Sequence, residues 1–395
     1  MSENDVVVTA VARTPFGRFE GQLSALDGPS LGALAIDEVV RRAGISAIDV
    51  VYAGVGMIAS AVLTPVRQAV LRSVLPGTTP SAAIDRACCS GMTALGIGFK
   101  DIRLGEARAA VCGGFDSLSC TPLLWPRQRA RIGNVEVQDP LLLRGTVVEQ
   151  PISVYSGQEA LRFGVDRDQQ DRWAVQSHQR YAAAQAKGYF DFERFAVTVS
   201  GAKGAQVSMT EDESPRADTT LEKLARLTPV YGGKTVTAGN APGLNDGAAF
   251  LMLCRRDFAR EHGLAPLARI VDYVQLCGGP TSGTSTPGHA IIQMGERNGC
   301  TVDDWDLIEI NEAYAATPLV STLVMAQDDR ALAERLRERT NVHGGAVALG
   351  HPLGASGARI VMTLINGLRR RGGGRGVAAI CGGFGQGDGV MVEVE

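Results

Sequence analysis

Two cysteines, one histidine and one asparagine stand out in this chain because each sits where an apolar run meets a turn. Cys88-Cys89-Ser90-Gly91 falls where a segment of helical apolar spacing begins, with Met92, Leu95, Phe99 and Ile102 on one face. A thiol at a helix N-terminus is acidified by free backbone amides and the helix dipole, which makes Cys88 a candidate nucleophile. The same amides can hold an oxyanion, although Ser90 acting as a plain helix N-cap is the competing reading. His351 lies in the glycine-rich stretch 344–357, GGAVALGHPLGASG, whose glycines bring backbone close to something. Cys381-Gly382-Gly383-Phe384-Gly385-Gln386-Gly387 closes an apolar run, at the strand end where open α/β sheets place ligands. Asn311-Glu312-Ala313-Tyr314-Ala315 follows another such run. Asn311 there can orient a water or donate to developing charge, or it caps the following helix. The remaining histidines, 178, 262, 289 and 343, have no comparable setting.

The elements that must carry these residues repeat. Ser90-Gly91 opens a helix-like segment, Gly105 stops it, Ala109-Ala110-Val111 reads as a buried strand, and Cys112-Gly113-Gly114-Phe115 follows. Far downstream, Ser356-Gly357, a glycine-rich turn at 372–376, Val377-Ala378-Ala379-Ile380 and Cys381-Gly382-Gly383-Phe384 repeat the order. Helices over 30–44 and 289–299 precede the strands at 50–52 and 307–310 in the same way. Two similar α/β halves are expected, with the turn of His351 facing the turn of Cys88. From about 120 to 247 charges mix and turns multiply around a single amphipathic helix over 166–187, ended by Gly188. That region is expected to be an excursion covering the site.

Composition agrees with a layered enzyme. The 395 residues, 48 of them glycine, with 45% hydrophobic content and a net charge of −3, suffice for more than one core and exclude disorder. The charge balance offers no electropositive field for nucleic acid or an anionic membrane. The uncharged run at 50–66 is broken by Gly54, Gly56 and Pro65 and is too short for a membrane helix. An acidic start running straight into Val6-Val7-Val8 does not resemble a secretory leader, so a cytoplasmic location is expected. The eight cysteines form no C-x-x-C pair, so no metal is expected, and Cys112, Cys120, Cys254, Cys277 and Cys300 read as small buried hydrophobes.

Together the four segments, with Thr235-Val236-Thr237-Ala238-Gly239-Asn240 and Leu244-Asn245-Asp246-Gly247-Ala248, resemble the thiolase family from about residue 5 to the C-terminus, through its C-x-S-G, N-E-A-F-A, G-H-P and C-x-G fingerprints. The resemblance implies an αβαβα layered fold, with an N-terminal half over 1–119 plus 248–271, a loop domain over 120–247 covering the coenzyme A site, and a C-terminal half over 272–395. It implies Cys88 as the acyl-carrying nucleophile, His351 as its base, Cys381 as the acid/base for the substrate α-carbon, and Asn311 as the holder of a water. That water and His351 would form one oxyanion hole, and the backbone amides of Cys88 and Gly383 the other. It also implies acyl-CoA and CoA as partners, CoA as co-substrate with no permanently bound cofactor, and a homodimer or homotetramer.

Several positions depart from the family pattern. Tyr155-Ser156-Gly157 stands where many members have His-Met-Gly, Pro242 where a serine usually follows Asn-Ala, Tyr314 where phenylalanine is usual, and Asp85 where asparagine precedes the nucleophile motif. The stretch Thr286-Pro287-Gly288-His289-Ala290 replaces Gly-Pro-Val-Pro-Ala. Ser156, Pro242 and Tyr314 are therefore candidate substrate contacts, and Arg216 matches a family position near the nucleotide. An acyl group other than acetoacetyl is expected, one that is bulkier, polar or aromatic. Ketoacyl-synthase-type condensing enzymes pair cysteine with His-His or His-Asn and lack a counterpart of Cys381. A silent CoA-binding or partner subunit would be expected to have lost one of Cys88, Asn311, His351 or Cys381. Gly54-Val55-Gly56-Met57-Ile58-Ala59 matches a dinucleotide fingerprint only weakly, without the acidic residue that should follow.

Overall fold

The computed structural model describes residues 3–58, 63–125, 137–145, 147–200 and 205–395. The chain opens with β1 (Val6–Arg13) and β2 (Gly17–Arg18), then α1 (Gly28–Ala43), β3 (Val50–Gly54), α2 (Pro65–Arg72), β4 (Ser81–Ile84), α3 (Ser90–Leu104) and β5 (Ala109–Ser117). The excursion carries α4 (Ile152–Arg162), α5 (Arg167–Ala186), β6 (Val197–Ser200), β7 (Gln206–Met209) and α6 (Leu221–Ala225). Next come β8 (Asn245–Arg255), α7 (Arg256–Glu261), β9 (Ala268–Cys277), α8 (Thr286–Asn298), β10 (Leu307–Ile310) and α9 (Ala316–Met325). The C-terminal run is α10 (Arg330–Glu338), α11 (Ala346–Leu349), α12 (Leu353–Arg370), β11 (Gly374–Gly382) and β12 (Gln386–Val394).

Local chemistry sets these boundaries. Asp27 caps α1 by accepting from Ser30 N at 2.8 Å, and Gly44 ends it in the left-handed region (φ 73°). Asp166 and Gln169 form a capping box at the start of α5, and Gly188 (φ 62°) follows its end. The strands run in the order β10-β11-β12-β9-β1-β8-β5-β3-β4, with β2 on β8, and the halves join through three residue pairs between β1 and β9. Three apolar cores separate the layers. The central one packs Met92, Leu95 and Phe99 of α3 and Val361, Leu364 and Leu368 of α12 between strands of both halves. The outer ones bury Ile36 and Val39 of α1 against Val51 and Val111, and Ile291, Met294 and Leu319 against Ile308 and Ala379. The layering is therefore helix, sheet, helix, sheet, helix.

The repeat appears as α3–β5 and α12–β11, and as α1–β3 and α8–β10. Three expectations are corrected. The second internal helix begins at Leu353, a turn before Ser356, because nothing there breaks helix once Pro352 sets the entry. The excursion holds not one helix but α4, α5 and α6 plus the paired β6 and β7; the β-branched, serine- and glycine-bearing sequence of α4 hides its helical character. Cys277 is exposed at the last position of β9, and Cys120 and Cys300 are half-buried, so only Cys112 and Cys254 of the five behave as buried hydrophobes. Gly54 and Gly56 serve packing rather than a nucleotide: a Cβ at either would collide with Ser90–Gly91 or with Leu353, while Ala59 lies outside the described residues. No described helix is long and apolar enough to cross a membrane.

Buried polar ties fasten the excursion to the body. Arg13 at the end of β1 bonds Glu193 at 2.6 Å and Asp212 at 2.7 Å, all with fully buried side chains. His343, stacked on Tyr189 with ring centroids 3.6 Å apart, has its pKa lowered from 6.5 to about 4 by burial and then by Arg370. Between those values the unfolded chain takes up a proton that the folded ring refuses, so this group lowers stability as pH falls through 6.5 toward 4. His343→Gln removes that titration. Denaturant unfolding at pH 7 and at pH 4.5 is expected to show the variant gaining on wild type upon acidification; a pH-independent difference would contradict this.

Candidate active site

The nucleophile turn is held from both ends. Ala87 sits at φ 51°, a conformation an L-residue adopts only under constraint. Asp85 Oδ1 accepts from Ala87 N at 3.1 Å, a role open to the carbonyl of the asparagine usual in the family. Ser90 Oγ donates to Ala87 O at 2.6 Å and accepts from Arg86 N at 2.8 Å. Ser90 therefore braces the turn instead of capping α3, whose N-cap position is Cys89 with no side-chain cap bond. The Arg86 guanidinium reaches across to the other half, bonding Gln386 at 3.0 Å, Thr93 at 3.0 Å and the buried Asp388. Tyr273 and Thr93 complete the ring around Asp388 at 2.7 and 2.5 Å.

Cys88 lies just outside α3, and its environment does not acidify it. Burial, with Asp116 nearby, pushes the thiol up to about 12, outweighing any pull from the helix terminus. Its partner is His351, whose Nε2 lies 3.2 Å from Cys88 Sγ. The tautomer follows from the hydrogen bonds. Ser356 Oγ gives its only proton to Pro352 O at 2.8 Å, so at 2.6 Å it accepts from His351 Nδ1–H. Nε2 is then the free lone pair facing sulfur. Burial and the Arg359 charge lower the imidazole to about 3, so the resting pair is neutral thiol and neutral imidazole. The proton moves only when a bound carbonyl takes the developing charge.

Cys381, next to last in β11, is buried close to the nucleophile turn, since a Cβ on the adjoining Gly382 would meet Arg86 O and Cys89 Sγ. Burial, Cys88 and Glu159, in that order, raise its thiol well above the ordinary range. The neighbouring Gly382 packs against Arg86 O, and a Cβ at Gly383 would lie 3.6 Å from Ala87 Cβ, so the amides of Cys88 and Gly383 belong to adjoining turns. Asn311 follows β10 on the strand beside β11 and is fully buried. Its Oδ1 faces Arg359 at 3.4 Å, and its Nδ2 has no protein partner. A buried amide donor without a partner is suited to a bound water or substrate oxygen. Asn311 is no helix cap, because α9 starts five residues later.

The family description "Thiolase, N-terminal domain" matches residues 6–257, and "Thiolase, C-terminal domain" matches 264–394. The chain belongs to the thiolase family. It is 38% identical to the beta-ketoadipyl-CoA thiolase of Pseudomonas aeruginosa over 98% of this chain and 99% of that one. It is also 38% identical to a probable acetyl-CoA acetyltransferase of Mycolicibacterium smegmatis, over 98% and 100%. Human mitochondrial 3-ketoacyl-CoA thiolase in complex with CoA superposes with a TM-score of 0.91 at 34% identity, covering 100% of this chain and 98% of that one. The protein is thus an acyltransferase with coenzyme A as co-substrate and the thiolase fold.

The remaining thiolase candidates divide between two regions. Arg216 lines a cleft of about 480 Å³ with Arg18, Lys223 and His178, and Pro242 lies between two of its lining residues, Ala241 and Gly243. Leu244 belongs both to that cleft and to the apolar group of Met57, Leu118 and Leu353 packed beside Cys88. Ser156 is buried on α4, and the half-buried Tyr314 is influenced by both Cys88 and Cys381. Sequence reading missed His178, whose Nδ1 accepts from Arg216 N at 3.2 Å. It also missed Asn245, whose Oδ1 fixes His351 N at 2.9 Å, and Glu312, which gathers Trp173, Ser177 and Val347 at 2.8–2.9 Å. Only the block containing Asn245 and the position of Glu312 in the fourth segment signalled these two. If Ser356 fixes the imidazole, Ser356→Ala is expected to slow acylation of Cys88 tenfold to a hundredfold, roughly 1.4–2.7 kcal/mol, in a single-turnover assay with little change in acyl-CoA affinity. A normal acylation rate would reject the tautomer argument.

Proposed function

We propose that this thiolase cleaves a 3-oxoacyl-CoA with CoA, or runs the reverse Claisen condensation, through an acyl group carried on Cys88. The observation that supports this most directly is the 3.2 Å approach of His351 Nε2 to Cys88 Sγ, with a second thiol, Cys381, entering the turn that packs against Arg86 and Ala87. In thiolysis, Cys88 sulfur attacks the 3-oxo carbon as its proton passes to His351 Nε2. The Cys88 and Gly383 amides stabilise the tetrahedral oxyanion, at roughly 3–4 kcal/mol per donor. The C2–C3 bond then breaks, leaving an acyl thioester on Cys88 and the enolate of acetyl-CoA. Protonated His351 and a water on Asn311 Nδ2 hold the enolate oxygen while Cys381 gives its proton to C2. Acetyl-CoA departs, Cys381 thiolate takes the proton of incoming CoA, and CoA sulfur lifts the acyl group from Cys88. Two thiols are needed because one stores the acyl group while the other moves a carbon-bound proton.

The loop domain, 120–247, covers the CoA arm in this reading, with Arg216 and Arg18 toward phosphate and Pro242 along the pantetheine path. The chain acts as a homodimer or homotetramer: β4 is a sheet edge with Ala82 and Ala83 exposed, and Leu71 and Val74 beside it are exposed as well. Sedimentation is expected to give a multiple of 41.6 kDa, reduced by Ala83→Lys. The chemical test separates the two sulfurs. Acyl transfer between an acyl-CoA and free CoA breaks no C–C bond, so Cys381 keeps its proton throughout and His351 carries the thiol proton both to and from CoA, whereas exchange of acetyl-CoA α-protons with deuterated water needs Cys381 as the base. Cys381→Ala should keep the first and lose the second by about 10²–10⁴. Mass spectrometry should find the acyl group on Cys88. Equal loss of both reactions in Cys381→Ala, or acyl label elsewhere, would overturn the assignment.

A further inference from the structure

An asparagine amide can present its oxygen or its nitrogen to the same spot, because half a turn about χ2 exchanges the two. The backbone of Asn311 is fixed at both ends, its N donating to Ala379 O at 2.9 Å and its carbonyl accepting from Ala313 N at 3.0 Å. Those bonds leave the half-turn free. Among the described residues the side chain makes one hydrogen bond, Oδ1 accepting from Arg359 Nη2 at 3.4 Å. A guanidinium carries donors only, so it can hold the amide oxygen and never the nitrogen. Nδ2, buried and without a protein partner, is thereby turned the other way.

Two placements tie this contact to the reacting groups. Glu309 in β10 and Asn311 just after it are two positions apart, so they face the same side of the strand. Arg359 meets both, with Nη1 3.9 Å from Glu309 Oε2. On α12, Arg359 follows Ser356 by three residues, which puts the two on one helix face. Ser356 there accepts from His351 Nδ1–H at 2.6 Å. Successive turns of one helix therefore hold the imidazole and the amide that share the enolate oxygen. Stability does not account for the arginine: it is fully buried, and its Nε and Nη1 have no protein hydrogen-bond partner. A buried charge so loosely matched by a carboxylate costs more than the pair returns. We propose that Arg359 is a positioning residue that fixes the Asn311 amide with Nδ2, not Oδ1, toward the water serving the enolate. A water accepting from Nδ2 is polarised to donate onward, whereas one that donates to Oδ1 is not. The inference rests on the thiolase reading of Asn311 and deepens it.

The test reads two reactions of acetyl-CoA. Exchange of its α-protons with deuterated water passes through the enolate; acetyl transfer to labelled CoA does not. Arg359→Met is expected to lower the ratio of exchange to transfer at least tenfold, and Arg359→Lys, which keeps a charged donor, to recover most of it. Asn311→Ala should lower the same ratio by about 10²–10³, and adding Arg359→Met to it should lower the ratio no further. Parallel loss of both reactions in Arg359→Met, an unchanged ratio, no recovery with lysine, or a further fall in the double variant would each overturn the inference. Because Arg359→Met could fold poorly, a second comparison keeps the arginine. Asn311→Asp offers it a carboxylate where the amide oxygen stands, and Asn311→Leu offers it nothing. The first is expected to unfold at the higher urea concentration, and equal midpoints would overturn the contact and the inference. If Asn311→Ala leaves the ratio intact, the reading of Asn311 fails and this inference with it. If Asn311→Ala lowers the ratio and Arg359→Met does not, the thiolase reading stands and only the inference falls.

Discussion

The site depends on backbone contact between the two halves at their central helices. Gly91 of α3, Gly354 of α12, Gly54 at the end of β3 and Gly114 in β5 meet so closely that a Cβ on any of them would strike backbone of another or of Ser90. A Cβ at Gly357 would lie 2.5 Å from Met92 N, so the tightness continues along the crossing. Only residues without side chains let the N-terminus of α12 descend onto the N-terminus of α3. That descent puts the turn of His351 within reach of the turn of Cys88. The carboxylate of Asp116 locks it, accepting from Gly354 N at 2.5 Å, Met57 N at 2.9 Å and Gly56 N at 3.1 Å. The bonds to these amides oppose the burial that nonetheless raises Asp116 to about 7.

Much of this was legible in the sequence, for a physical reason. A glycine needed for close approach cannot be replaced cheaply, and a thiol or imidazole needed for chemistry cannot be replaced at all. Cys88, His351, Cys381 and Asn311 therefore stood out by type and by turn, and the helix–strand repeat placed them at corresponding ends of two halves. The strand at 307–310 and the helix over 166–187 were readable because buried strands and capped amphipathic helices leave strong local signals.

What escaped the sequence is what depends on contacts between distant segments. Nothing local in Arg86 reveals that it meets Asp388, and nothing in His178 reveals that it fixes the backbone of Arg216. Asp116 follows Phe115 in a repeat that has Gly385 at the matching place after Phe384, so the pattern pointed away from its role. The helix-dipole argument for Cys88 failed differently. It named a real effect but left out desolvation, which a sequence does not display and which here exceeds it. α4 was missed because β-branched and glycine residues lower intrinsic helix preference, while packing against the turn after β11 and the segment at 230–236 supplies what propensity lacks.

The electrostatic character of the pocket follows from this construction. Layers on both sides bury Cys381 and His351 and half-bury Cys88, and each is driven toward its neutral form. A site of pre-formed ions would be costly to hold between three apolar cores. A neutral site carries no such cost until a thioester enters, and in the proposed reaction charge then appears on substrate oxygens, on His351 as it takes the Cys88 proton, and on the sulfur that is forming or leaving. In the proposed reaction the fixed groups aimed at that charge are backbone amides, an imidazole and the amide of Asn311, held by Arg359 on the side away from its free Nδ2. Arg359 is itself buried with two nitrogens lacking partners, near Glu309, which burial raises to about 8 despite the arginine. The nearest full charges therefore stand one residue back from the reacting atoms. From there they can orient Asn311 and keep His351 unprotonated without trapping the thiolate as a stable ion pair.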